Sequence, residues 1–209
     1  MFNAGSLTFQ EFIMNESLPL ATIQEAVLEF LRGRKDAVVF GAQAVNAYVP
    51  EPRMSQDIDL LSTRAGELAE EFRVYLGDKF HVAIRVREVA DGRGFRLYQI
   101  QKSGNRYLVD IRLVQSLPPA RLFSQVLVAA PEELIALKVI AYHQRRGQPK
   151  SGTDWRDLAM LLLTFPEMKR EDGLVVERLK AENAGEDTLI LWRDLVKQEI
   201  QPVDEDDEF

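Results

Sequence analysis

The chain has 209 residues, 46% of them apolar and 28% charged, with a net charge of −7 and no cysteine. This length and balance predict a globular body with a real core, and the missing cysteine excludes disulfides, thiolate nucleophiles and thiolate zinc sites. No apolar run approaches the ~18 residues of a membrane span. The start, Met1-Phe2-Asn3-Ala4-Gly5-Ser6, lacks the basic and apolar regions of a signal peptide, so a cytoplasmic protein without a membrane partner is expected.

Residues 19–31 carry Ile23, Ala26, Val27, Phe30 and Leu31 at helical spacing, and Gly33 ends that helix. Residues 37–40 read as a short buried strand, entering a helix over 42–48 directly from Gly41. Pro50 and Pro52 enforce an extended loop through Arg53. A second strand is predicted over 57–62, then a helix from Thr63 as N-cap to about Leu76. The period then changes. Residues 81–89, 95–100 and 107–114 alternate, and Asp91-Gly92-Arg93-Gly94 and Ser103-Gly104-Asn105 separate them. Three strands joined by tight turns predict an antiparallel meander added to the first pair.

From Pro131 the pattern is helical: 131–145, 154–164, and one or two more helices between 171 and 199. The expected fold is α+β, a mixed β-sheet flanked by helices over 1–125 and a helical lobe over 126–200. Residues 201–209 form an acidic tail, expected to be solvated and flexible. Its acids Asp204, Glu205, Asp206, Asp207 and Glu208 account for five of the negative charges, leaving the body at −2. Residues 138–156, with Lys138, Arg145, Arg146, Lys150 and Arg156 against Asp154, carry a local +4. Overall charge therefore does not exclude a polyanionic partner.

The informative stretch is 38–61. An apolar strand breaks at Gly41, and fourteen residues separate Ala42 from Asp57-Ile58-Asp59. On a strand, i and i+2 point to one side, so Asp57 and Asp59 converge while Ile58 and Leu60 anchor the core. Two carboxylates so close repel unless a cation sits between them. Asp110 belongs with them, because Leu108, Asp110 and Arg112 share one face of their strand, although pairing with Arg106 or Arg112 would also explain it. Hard oxygen ligands suit Mg²⁺ or Mn²⁺. Gly41, at a strand-to-helix junction, lets a phosphate approach backbone N–H groups. Each feature alone has a bland reading as a turn, cap or ion pair; their order points to nucleotidyl or phosphoryl transfer.

At these residues the chain resembles the nucleotidyltransferase superfamily of the polymerase-beta type, and more closely its AbiEii-type branch. That branch includes toxins of toxin–antitoxin pairs. The resemblance rests on Gly41-Ala42-Gln43-Ala44, residues 53–60 around Asp57-Ile58-Asp59, Asp110, Pro131-Glu132-Glu133-Leu134 through Lys138, and Asp154-Trp155-Arg156-Asp157. It implies a nucleotidyltransferase-like lobe and transfer of a nucleoside monophosphate from a triphosphate to a hydroxyl on RNA or protein. Asp57, Asp59 and Asp110 are then the catalytic and metal-binding residues. The nucleotide would be bound by Gly41, Ala42, Gln43, Arg53, Lys138, Arg145 and Asp154, and an antitoxin protein becomes a further partner. Ala42 stands where the superfamily carries a second Gly or a Ser, which removes a hydroxyl contact.

Other readings remain for the helical lobe. Lys138 is a snorkelling lysine or a triphosphate contact, with Tyr142 and Arg145 on its face. Thr153 as an N-cap would put Asp154 and Asp157 in a first turn, where acids complement the dipole; alternatively Asp154 orders Lys138 or Arg145 through an ion pair. Arg53 is a bidentate phosphate ligand or a surface arginine. His81 and His143 have no partner at ligand spacing. The competing function is a non-catalytic descendant that binds a nucleotide or a protein.

Overall fold

The computed structural model describes residues 19–101 and 104–201; the acidic residues 204–208 of the tail lie outside the described residues. The elements are α1 (Leu20–Leu31), β1 (Ala37–Phe40), α2 (Gly41–Asn46), β2 (Ile58–Ser62), α3 (Ala65–Phe80), β3 (Ile84–Val89), β4 (Gly94–Gln101) and β5 (Gly104–Leu113). A hairpin of β6 (Ala120–Phe123) and β7 (Val126–Ala129) follows. The chain continues as α4 (Pro131–Gln144), α5 (Lys150–Thr164), a 3-10 turn (Pro166–Met168), α6 (Leu174–Ala181) and α7 (Glu186–Lys197). The fold is α+β. Among the described residues no helix is long and apolar enough to cross a membrane.

Among the described residues seven strands form one mixed sheet in the order β3-β4-β5-β2-β1-β7-β6. β2 runs antiparallel to β1 and parallel to β5, and β7 runs parallel to β1. Alternation makes one sheet face apolar: Ile58, Leu60, Val109 and Ile111 are fully buried there. α3 covers this face with Leu68, Phe72 and Leu76 at helical spacing. α4 packs against α5, α6 and α7, with Leu134, Ile135, Val139, Leu158 and Trp192 in a continuous core.

Several boundaries differ from the sequence reading for local reasons. Thr63 is not the cap of α3; Arg64 occupies that position, and its N–H donates to Ser62 Oγ at 3.0 Å. α3 continues to Phe80 and ends at His81 in the left-handed region, which delays β3 to Ile84. The hairpin β6–β7 has no counterpart among the expected strands. Its turn, Ser124-Gln125, holds both residues at positive φ (46° and 69°), the backbone of a two-residue hairpin turn, yet contains neither Gly nor Asn. α5 begins at Lys150, so Thr153 lies inside the helix and caps nothing.

Candidate active site

The crossing of β1, β2 and β5 builds the acidic end of the site. Phe40 pairs with Asp59 across the antiparallel β1–β2 ladder, and Asp59 pairs with Asp110 across the parallel β2–β5 ladder. Residues paired across a ladder share a face; Asp57, one residue before β2, lines the same cleft as Asp59 and lies close enough to raise its carboxyl. The structure thus brings Asp59 and Asp110 to one side of the sheet, opposite the face under α3, with Asp57 beside Asp59. Ser55 Oγ donates to the Asp57 carbonyl at 2.9 Å and steadies the loop entering β2.

Gly41 is shaped by that acid. Its φ of 69° suits glycine, and a Cβ there would lie 2.0 Å from Asp59 Oδ2 and 2.7 Å from Cγ. The strand-Gly-helix junction and the acid on β2 are therefore one packing unit. Gly41→Ala is expected to lower both thermal stability and activity, because the left-handed backbone is strained and the Asp59 carboxylate must move. Unchanged melting and unchanged activity would show that the close approach is dispensable.

Asp59 is pushed up to about 6, first by burial, then by the negative charges of Asp57 and Asp110; Lys138 and Lys150 pull the other way. A carboxylate kept among like charges fits a hard divalent cation, and the donors at Asp57 and Asp59 are all oxygen. Asp110, expected as the third ligand, has one oxygen engaged within the protein. Arg96 Nε donates to its Oδ2 at 3.0 Å. The partner is thus neither Arg106 nor Arg112 but the residue directly across β4. Among the described residues no three acids or histidines gather closely enough to hold a metal ion.

A polar cleft of about 660 Å³ opens beside these acids, between the sheet and α4–α5. Gly41, Ala42, Arg53, Asp57, Asp59, Lys138, Arg145 and Asp154 line it; Gln43 and Asp110 do not. A second, apolar groove of about 930 Å³ lies outside α3, around Phe30, Val74 and Tyr75, and holds none of the predicted residues. Chemistry, not size, selects the polar cleft.

The far wall is an ion network. Lys138 does not snorkel to water: it is 8% exposed, with Nζ 2.6 Å from Asp157 Oδ2 and 3.4 Å from Asp154 Oδ1. Arg145 reaches Asp154 Oδ2 at 2.7 Å. Arg53, from the loop before β2, places its fork on Asp157 through Nε at 2.6 Å and Nη2 at 2.8 Å. Its bidentate geometry is thus spent on a protein carboxylate rather than left open to a phosphate. Burial raises the Asp157 carboxyl, but Arg53 and Lys138 outweigh it and hold the group below its ordinary value. Asp157 and Asp154 are buried ion-pair centres within α5, not solvated acids in a first turn.

Two residues escape the sequence reading. Asp157 stands there only alongside Asp154, yet it is the one that ties the loop to the helices. Asn46 clamps the Arg53 backbone, accepting its N–H at 3.0 Å and donating to its carbonyl at 2.8 Å. The signal for Asp157 is the spacing Asp154-x-x-Asp157, which puts both acids on one helical face.

The sheet, its acidic end and the flanking helices define a protein of nucleotidyltransferase fold. The Megavirus polyadenylate synthase superposes with a TM-score of 0.58 at 15% identity, over 70% of this chain and 32% of that one. JHP933 from Helicobacter pylori matches with a TM-score of 0.52 at 13% identity, over 85% of this chain and 88% of that one. This chain therefore spans about a third of the polyadenylate synthase but nearly all of JHP933. No curated protein matches it in sequence. The family model described as "Nucleotidyl transferase AbiEii toxin, Type IV TA system" matches residues 26–208, and the chain belongs to that family.

Proposed function

We propose that the protein transfers a nucleoside monophosphate from a triphosphate to a hydroxyl on RNA or protein, as the toxin of a toxin–antitoxin pair. A cytoplasmic location, where triphosphates and RNA are available, goes with this reading. The observation that carries it is Asp59, paired in register with Asp110 and seated against a glycine at the mouth of a polar cleft. Asp57 and Asp59 would hold a divalent cation, Mg²⁺ or Mn²⁺, whose charge offsets that of the triphosphate and of the departing pyrophosphate. Gly41 and Ala42 give the phosphates access to the strand-to-helix junction. Arg145, just past the end of α4 and held by Asp154, faces the triphosphate, while Lys138 and Arg53 position that wall through Asp157.

In the step itself, the acceptor hydroxyl oxygen forms a bond to the α-phosphorus. The bond from that phosphorus to the bridging oxygen breaks, and pyrophosphate leaves with the electron pair. Asp110 takes the hydroxyl proton on Oδ1, since Arg96 engages Oδ2. Incubation with α-labelled triphosphates, divalent cation and an RNA or protein pool is expected to label a macromolecule. Absence of label with all four triphosphates and both pools would refute the proposal.

One observation favours a second reading. Lys138, Arg53 and Asp110 are each already paired within the protein, as expected of a descendant that binds a nucleotide or a partner without turnover. Calorimetry separates the two, because nucleotide binding without any pyrophosphate release supports the second alone.

A further inference from the structure

The sheet face that carries Asp110 continues outward over β4 and β3, and its composition is unusual. Arg87 pairs directly with Arg96, and Arg96 with Asp110. On the next paired row Arg85 faces Tyr98, and Tyr98 faces Tyr107. Arg112 lies nearer the cleft, its guanidinium 5.1 Å from the centre of the Phe40 ring. Side-chain packing agrees with the shared face: the Tyr98 and Tyr107 rings are 4.6 Å apart, and Arg96 lies 5.6 Å from the Tyr107 ring. α3 packs on the other face, where Phe95 lies beneath Gly66.

Like charges placed directly across a sheet ladder are unfavourable, and strands do not gather arginines for stability. Among the described paired positions of β3, β4 and β5 on this face Asp110 is the one acid, against Arg85, Arg87, Arg96 and Arg112; Asp59 follows on β2 at the cleft. Arg85, Arg87 and Arg112 are exposed and Asp110 neutralises only Arg96. An excess of cations interleaved with tyrosines on an open sheet matches a polyanion with flat bases: arginine forks meet phosphates, and the rings offer stacking platforms. The face begins at the acid proposed as proton acceptor and ends about 10 Å away at β3, two strand spacings on.

We propose that the β3–β4–β5 face binds single-stranded RNA and delivers its terminal hydroxyl to Asp110. This deepens the transfer reading and rests on it. The RNA backbone crosses Arg87 and Arg85, bases stack at Tyr98 and Tyr107, and Arg112 guides the last phosphate past Phe40 into the cleft.

The test is fluorescence anisotropy of a labelled 12-nucleotide single-stranded RNA with the full chain, from 50 to 200 mM salt. Arg85→Ser with Arg87→Ser is expected to weaken binding at least tenfold and to reduce the log–log salt slope by roughly 0.7 for each phosphate no longer neutralised. The control removes two cations from α3 on the opposite face, Arg73→Ser with Lys79→Ser, and is expected to bind as the unaltered chain does. Equal weakening by both pairs overturns the assignment, since it would reflect net charge alone. So does tighter binding of a duplex than of a single strand, or of an acidic peptide than of RNA. Failure of the unaltered chain to bind RNA, while a triphosphate still raises its melting temperature, overturns this surface and leaves the nucleotidyl-transfer reading intact.

Discussion

Asp59→Asn is expected to abolish nucleotide transfer and, in metal-free buffer near neutral pH, to make the protein more stable. The carboxyl is raised from 3.8 to about 6 in the folded chain by burial and by Asp57 and Asp110. An acid whose folded value lies above its unfolded value holds its proton longer in the folded state. Stability is therefore unaffected at low pH, falls as pH rises from about 4 to about 6, and stays reduced above that. The cost is on the order of 2–3 kcal/mol at most, or several degrees of melting temperature. Asparagine keeps the shape against Gly41 and removes the charge, so the gap between variant and parent opens across that pH window. Divalent cation should close it by stabilising only the parent. A variant that melts at the parent's temperature at pH 7.5, or that still transfers nucleotide, would contradict the role given to Asp59.

Asp157→Ala is expected to produce the largest loss of stability, about 3–5 kcal/mol, because it strips Arg53 of its buried counter-charge and leaves Lys138 only its longer contact to Asp154. Asp157 is fully buried, with Lys138 Nζ and the Arg53 fork on its two oxygens. Lys138→Met should cost less: Arg53 and Arg145 still face Asp157 and Asp154, and the lysine stem is replaced by an apolar chain of similar length. Urea titration of the two variants ranks them. A loss below about 1 kcal/mol for Asp157→Ala would mean that water reaches the network and screens it. The same variant also frees the loop of residues 53–57, so activity is expected to fall further than stability alone explains.

How much of this is legible in the sequence depends on the range of the interactions. The strand-Gly-helix junction, the Asp57-x-Asp59 strand and the face of Asp110 follow from alternation and turn chemistry, which act over a few residues. The β6–β7 hairpin does not, because its left-handed turn uses Ser124 and Gln125 where the pattern calls for Gly or Asn. Thr153 misleads for a related reason: an N-cap residue type is only a preference, and α5 has already started at Lys150.

The sequence by itself determined an α+β body followed by helices, and the strands that carry Asp59 and Asp110, because alternation and turn chemistry act over a few residues; that the two acids share a face was settled by the β2–β5 register. Only the tertiary structure decided who partners whom. Arg53 meets Asp157 across 104 positions of chain, and Arg96 rather than a neighbour on β5 takes Asp110. Such pairings depend on strand register and helix docking, which are set by the fit of the whole core. No local pattern of residues encodes them.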